Sequence, residues 1–195
     1  MAAAGRSRRE WGWHPLVDEW AARIVADAAV RPGDLVFDIG AGYGALTAPL
    51  RAAGARVIAV ELHPGRAAHL RARFAGGARF AGGARHAAGP ATSGRLSVVQ
   101  ADATTLRLPQ RPFRVVANPP YQISSALLRM LLAPRSALVS ADLVLQRAVV
   151  RRYLTGRSAI NGPWQAHLGR TLPRRAFQPP PRVDSAVLVV RRLWH

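Results

Sequence analysis

The chain has 195 residues, 49% of them hydrophobic and 19% charged, a balance that suits one globular domain with a real core and excludes a disordered chain. Its 28 basic residues face 10 acidic ones, for a formal net charge of +18, and such an excess favours a polyanionic partner through counterion release and long-range steering. There is no cysteine, which excludes disulfides, thiolate metal sites and a cysteine nucleophile.

Residues 1–13 read as a basic arm carrying Arg6, Arg8, Arg9, Trp11 and Trp13. No apolar stretch follows to make a secretion signal, and no apolar run approaches the about 20 residues that span a bilayer. A cytoplasmic protein is therefore expected, with residues 14–195 as its main domain. Leu16, Trp20, Ile24 and Ala28 recur on one face and predict a helix from about Leu16 to Ala29, stopped by Arg31-Pro32-Gly33. Apolar runs at Leu35–Ile39 and Ala55–Val60 predict buried parallel strands. Helices are expected over about Gly44–Ala53 and His63–Phe74. The heptad Arg-Phe-Ala-Gly-Gly-Ala-Arg then occurs twice, at 73–79 and 79–85, and residues 75–95 read as a Gly/Ala-rich insertion loop.

Further strands are expected at Leu96–Val99, Phe113–Ala117 and Ala137–Leu145, with helices over Ser124–Leu132 and near 146–154. Residues 165–172 and Ala186–Val190 have no helix between them and predict an antiparallel hairpin at one edge. The fold class is α/β: a doubly wound, mainly parallel, seven-stranded Rossmann-like sheet.

The first strand runs into Asp38-Ile39-Gly40-Ala41-Gly42-Tyr43-Gly44-Ala45. Glycines here let the backbone turn sharply and approach a ligand. The spacing Gly40-x-Gly42-x-x-Ala45 also satisfies a relaxed dinucleotide fingerprint, and Glu61 suits a ribose diol in either case. Asp38 directly before the glycines would repel a pyrophosphate but attract the ammonium of S-adenosylmethionine. Asp102, after the third strand, can accept a hydrogen bond from an adenine amino group.

Asn118-Pro119-Pro120-Tyr121 closes the fourth strand. An exocyclic aromatic amine is a poor nucleophile because its lone pair is delocalised. It needs acceptors that hold both N–H groups while the nitrogen pyramidalises, and the Asn118 side-chain oxygen and the Pro119 carbonyl can supply them. Two prolines stiffen the backbone, and Tyr121 offers a flat face to an extruded base. The predicted chemistry is methyl transfer to the N6 of an adenine in RNA.

The segments VFDIGAGYGALTAPL (36–50), VIAVELHP (57–64), VVQADATTL (98–106), VVANPPYQISSALLRMLL (115–132), ADLVLQR (141–147) and FQPPPRVDSAVLVVRR (177–192) together resemble the rRNA adenine N6-methyltransferase family. That family includes the macrolide-resistance Erm enzymes and the KsgA dimethyladenosine transferases. The Trp-Gly-Trp-His arm is similar to that of short actinobacterial Erm proteins. The resemblance implies that Gly40, Gly42, Glu61, Asp102 and Asn118 contact S-adenosylmethionine. It also implies that Tyr121 and Phe177 sandwich the flipped adenine. The implied target is the macrolide-site adenine of 23S rRNA, free or in a pre-ribosomal particle, and the implied outcome is resistance to macrolides, lincosamides and streptogramin B.

The chain departs from the family pattern in three places. Trp13-His14-Pro15-Leu16 replaces Gln-Asn-Phe-Leu, so His14 and Leu16 are expected to take over its cofactor contacts. Ala148 stands where a Glu is usual. The small helical RNA-holding domain that typical members carry is expected to be absent after the last strand. RNA would then be held by the arm and by Arg151, Arg152, Arg174, Arg175 and Arg182 on the catalytic face. The rivals are a KsgA-type small-subunit rRNA dimethyltransferase, methylation of DNA adenine or protein glutamine, a silent RNA-binding relative and a nicotinamide dehydrogenase. The six histidines show no ligand spacing with carboxylates, so no metal is expected; nor is a membrane, and the chain is expected to act as a monomer.

Overall fold

The computed structural model describes residues 14–75, 94–155 and 158–193. The basic arm and most of the 75–95 insertion lie outside these residues, and with them the expected RNA contacts of Arg6, Arg8, Arg9, Trp11 and Trp13. The main elements are α1 (Asp18–Asp27), β1 (Leu35–Ile39), α2 (Thr47–Ala52), β2 (Arg56–Glu61), α3 (Pro64–Phe74), β3 (Leu96–Gln100), β4 (Phe113–Ala117), α4 (Ser124–Leu131), β5 (Leu138–Gln146), α5 (Arg147–Leu154), β6 (Trp164–Leu172) and β7 (Ser185–Arg192).

They build one seven-stranded sheet in the order β3-β2-β1-β4-β5-β7-β6. The five strands β1 to β5 are parallel, while β7 pairs antiparallel with both β5 and β6. The expected hairpin is therefore present, with β7 inserted beside β5 and β6 at the edge. Strand order reverses on either side of β1, which leaves a crevice between the carboxyl ends of β1 and β4.

The period-two alternation of β1 sends its side chains into both faces of the sheet. Phe37 and Ile39 pack with Phe113, Val115, Leu127, Leu128 and Leu131 under α4. Val36 packs on the other face with Ile24, Val25, Leu46 and Leu50 of the α1/α2 layer. Each fully buried Leu or Ile contributes about 1.5–3 kcal/mol to folding. Asp38 shares the parity of Val36, so its carboxylate enters the α1/α2 layer beneath the glycine turn.

Two helix starts differ from the sequence expectation, each for a local reason. The first helix begins at Asp18 because Leu16 is drawn into an antiparallel bridge with Phe177. Its buried face is Ala21, Ile24, Val25 and Ala28, and Trp20 is only partly covered, with the Arg23 guanidinium 5.1 Å from its ring centroid. The second helix begins at Thr47, three residues later than expected. Gly44 has φ +87°, outside the helical region, and a Cβ there would meet Phe74 at 2.8 Å. Among the described residues no helix is long and apolar enough to cross a membrane.

Candidate active site

The glycine turn after β1 is fastened to β2. Gly40 and Ala41 donate to the Val60 carbonyl at 2.8 and 3.1 Å, and Gly42 donates to Glu61 Oε2 at 2.9 Å. Glu61 is 3% exposed. Its other oxygen accepts from the His63 main-chain N–H at 2.8 Å and from Arg66 Nε at 3.1 Å, and the Arg66 guanidinium forms an ion pair with it. A carboxylate oxygen offers about two acceptor positions; Oε1 is taken by His63 and Arg66, and Oε2, which accepts from Gly42, has room for one hydroxyl of a ribose. Sequence reasoning missed Arg66; its signal was the short strand–turn–helix spacing from Glu61, which brings the fifth residue back over the strand end.

Asp38 is buried, and its Oδ2 accepts from Thr47 Oγ1 at 2.6 Å. Burial pushes its pKa up from the ordinary 3.8 to about 7; the Thr47 hydrogen bonds oppose this and the nearby Glu61 charge reinforces it. A buried carboxylate held near its titration point is a site that a cation stabilises. Asp102 ends the β3 connection in the open. Its Oδ1 accepts from the Thr104 main-chain N–H and hydroxyl at 2.8 and 2.7 Å, and these bonds, the main-chain one first, hold its carboxyl below the usual range.

A cavity lies over this turn. Asp38, Gly40, Gly42, Leu16 and Asn118 line it, so five of the expected cofactor residues converge. Pro15, Asp18, Tyr43, Leu46 and Arg73 line it too, and sequence reasoning had singled out none of these. Glu61 lies beneath the turn through Gly42, and Asp102 stands outside the enclosed part. His14 is not among the lining residues either; its ring faces Tyr121 instead.

Asn118 and Pro119 follow β4 directly, and the turn packs tightly against the glycines. Asn118 Nδ2 donates to the main-chain oxygen of His14 at 2.8 Å. That bond uses the donor end of the amide, which leaves Oδ1 as the acceptor for a substrate N–H. Tyr121 shares a 2.7 Å hydrogen bond with the buried Ser185 at the start of β7, and burial raises its phenol pKa while the Ser185 bond opposes this. Ser185 had appeared only as a letter of a longer motif; the structure gives it the task of fixing the Tyr121 ring.

Phe177, the residue expected to face the adenine with Tyr121, is buried in the structure. Phe177 is 2% exposed and belongs to the core cluster of Leu16, Ile24 and Val25. The cause is backbone pairing: Val17 donates to the Ala176 carbonyl and Gln178 to the Pro15 carbonyl, at 3.0 and 2.9 Å, which turns Phe177 inward opposite Leu16. The ring stacked on Tyr121 is His14, with centroids 6.0 Å apart and planes at 30°.

Arg151 and Arg152 on α5, Arg174 and Arg175 in the turn after β6, and Arg182 before β7 are all exposed. They share the end of the sheet that carries Asn118, since Gln146 at the close of β5 pairs with Ser185 and Arg147 donates to the Asp184 carbonyl. Among the described residues no group of three or more His, Cys, Asp or Glu is placed to hold a metal ion.

Residues 6–193 match the family model described as ribosomal RNA adenine dimethylase. The chain belongs to the ribosomal RNA adenine dimethylase family. As a member it is an rRNA adenine N6-methyltransferase. It is 33% identical over 200 residues to the rRNA adenine N-6-methyltransferase of Corynebacterium diphtheriae, covering 99% of this chain and 72% of that protein. It is 35% identical over 204 residues to the ribosomal RNA small subunit methyltransferase A of Thermosynechococcus vestitus, covering 95% of this chain and 70% of that one. The crystal structure of the 23S rRNA methyltransferase ErmE superposes with a TM-score of 0.72 at 31% identity, over 91% of this chain and 69% of that chain. The seven-stranded Rossmann-like fold expected from the sequence is the fold of this family.

Proposed function

We propose that the chain transfers methyl groups from S-adenosylmethionine to the N6 of an adenine in 23S rRNA, and that this methylation protects ribosomes from macrolides, lincosamides and streptogramin B. The observation that carries the reading is the Asn118 amide. It is pinned by its nitrogen to His14, beside the Tyr121 ring and on the rim of the Asp38–Gly40 cavity. The likeness to the Corynebacterium protein and to ErmE supports the large-subunit target. Similar identity to small subunit methyltransferase A makes 16S rRNA the alternative target.

The residues fit the cofactor chemically. Asp38 is a buried carboxylate that a cationic ammonium would keep ionised. Glu61 retains one acceptor position for a ribose hydroxyl, Asp102 stands at the β3 end for an adenine amino group, and Leu16 supplies an apolar wall. S-adenosylmethionine supplies an electrophilic methyl group on a sulfonium. Asn118 Oδ1 and the Pro119 carbonyl hold the two N–H groups of the target amine, and Tyr121 holds the base plane. Neither acceptor is a base; the proton leaves to water once alkylation has made the nitrogen acidic. The exposed arginines at the same end of the sheet would meet phosphates.

The test is transfer of labelled methyl groups to 23S and 16S rRNA, naked and in subunits, with nucleotide mapping by mass spectrometry. Wild type is expected to label one 23S adenine, and Asn118→Ala to lose at least 100-fold in kcat, in line with removal of a transition-state hydrogen-bond acceptor. Labelling of 16S rRNA alone would assign the small-subunit reading, and no labelling of any rRNA would refute both.

A further inference from the structure

We infer that the cavity between α4, α5 and the start of β6 seats an unpaired nucleotide of the RNA substrate, away from the adenine that is methylated. The inference rests on the rRNA-methyltransferase reading and goes beyond it by giving the RNA a second base contact on a face that the reaction does not use.

The cavity has a volume of about 500 Å³, within the roughly 300–1,000 Å³ usual for ligand sites. Its α4 wall is a stripe: Ser125, Leu128, Arg129 and Leu132 follow the i, i+3, i+4, i+7 spacing of one helix face. Tyr153 of α5, Trp164 of β6 and residues 158–161 complete the lining. The walls are joined to one another. Arg152 Nη2 on α5 donates to Ser125 Oγ at 3.0 Å, and the Ile160 main-chain N–H donates to the Tyr153 carbonyl at 2.9 Å.

A gap left by imperfect packing would be apolar or would have its polar groups paired. Among the described residues, the Arg129 guanidinium, the Tyr153 hydroxyl, the Asn161 amide and the Trp164 indole N–H have no protein partner. None is sealed from solvent, not even the N–H of Trp164, a residue only 6% exposed. No acidic residue is among the described residues of the lining. Guanidinium groups also stand beside both rings, Arg152 at 5.3 Å from the Tyr153 centroid and Arg192 at 5.0 Å from that of Trp164. Aromatic rings, open donors and uncompensated positive charge together suit a base that stacks and a phosphate beside it. A free nucleotide has the same chemistry, but the position of the cavity favours RNA. The Ser124 hydroxyl donates to the Tyr121 carbonyl at 2.8 Å, and Ser125 lies about one helical turn beyond Tyr121. A strand whose adenine lies at Tyr121 can therefore reach the cavity with a flanking nucleotide.

The experiment uses the rRNA transcript that wild type methylates. Ultraviolet crosslinking with peptide mapping should place an RNA nucleotide on the peptide that holds Tyr153 or Trp164. Anisotropy titrations over a range of salt compare wild type with Arg129→Gln, Tyr153→Ala and Tyr153→Phe. Arg129→Gln, at an exposed position, should weaken binding about five-fold and lower the salt slope by about one. Tyr153→Ala should weaken binding about 10-fold, and Tyr153→Phe should stay within about two-fold of wild type, because stacking needs the ring. Calorimetry with S-adenosylmethionine should give the wild-type affinity for all three, which shows that they are folded. Crosslinks confined to other peptides, or wild-type affinity and salt slope in Arg129→Gln and Tyr153→Ala, would overturn the inference and leave the cavity to a polypeptide. Protection of Trp164 by adenosine monophosphate without any RNA crosslink there would overturn it in favour of a free nucleotide. A wild type that methylates no rRNA fails the parent reading instead, before any variant is made.

Discussion

Gly40 and Pro120 approach each other so closely that a Cβ on Gly40 would lie 3.1 Å from Pro120 Cδ and 3.4 Å from Pro119 Cα. The glycine turn after β1 and the Asn-Pro-Pro-Tyr turn are thereby one packed unit. Gly40 also holds φ +76°, in the left-handed region that other residues enter at a cost. Gly40→Ala is expected to lose about 1–3 kcal/mol of stability and to weaken cofactor binding, because the prolines must give way. Thermal melts and calorimetry check this; wild-type values for both would contradict the close packing.

Asp38 is expected to make cofactor binding sensitive to pH. Its pKa of about 7 means that a cationic ligand binds the ionised form and releases a proton below that value. Affinity should rise from pH 6 towards pH 7.5, then fall as the ligand's own α-amino group loses its proton near about 8. In Asp38→Asn the rise should vanish. The sign for stability is opposite in sense: the folded pKa lies above the unfolded 3.8. Asp38 therefore contributes stability that is fully present below about pH 4 and is lost as pH rises through 7. In the absence of ligand, denaturant melts of Asp38→Asn should lose less stability than wild type between pH 5 and pH 8.

Arg66 pairs with Glu61, the carboxylate proposed to take the ribose, from outside the cavity lining. Glu61 is 3% exposed, and in Arg66→Ala it keeps only the Gly42 and His63 N–H groups. A charged group left short of partners costs about 1–3 kcal/mol. The expected result is a lower melting temperature and a KM for S-adenosylmethionine raised about 10-fold, with kcat at saturation unchanged and Arg66→Lys intermediate. A fall in kcat at an unchanged KM would contradict the positioning role.

The parallel strands were legible because strands covered on both faces read as unbroken apolar runs, as in Leu35–Ile39. The edge strand β6 gave a weak signal for the converse reason: Gln165, His167 and Leu168 are exposed, and its register shifts between Leu168 and Thr171. Asp38, Gly40 and Asn118 come together because the neighbouring parallel strands β1 and β4 end on one rim. Phe177 turns inward opposite Leu16 because of strand-like pairing of 15–17 with 176–178, and no local pattern of either segment encodes a partner so remote. The Gly44 turn was visible as composition, but a positive φ that delays a helix by three residues is visible only once the chain is folded.

The stitch between Leu16 and Phe177 joins residues far apart in sequence, so it cannot form before Phe177 has been made. Strands β1 to β5 precede it in the chain, yet the main-chain bonds that hold the segment anchoring Asn118 need Ala176 and Gln178. A nascent chain cut short of that point carries the glycine turn and Asn-Pro-Pro-Tyr in full while lacking the buttress that aims them. The aim of the Asn-Pro-Pro-Tyr turn is in this sense a property of the folded domain and not of the motif segments alone.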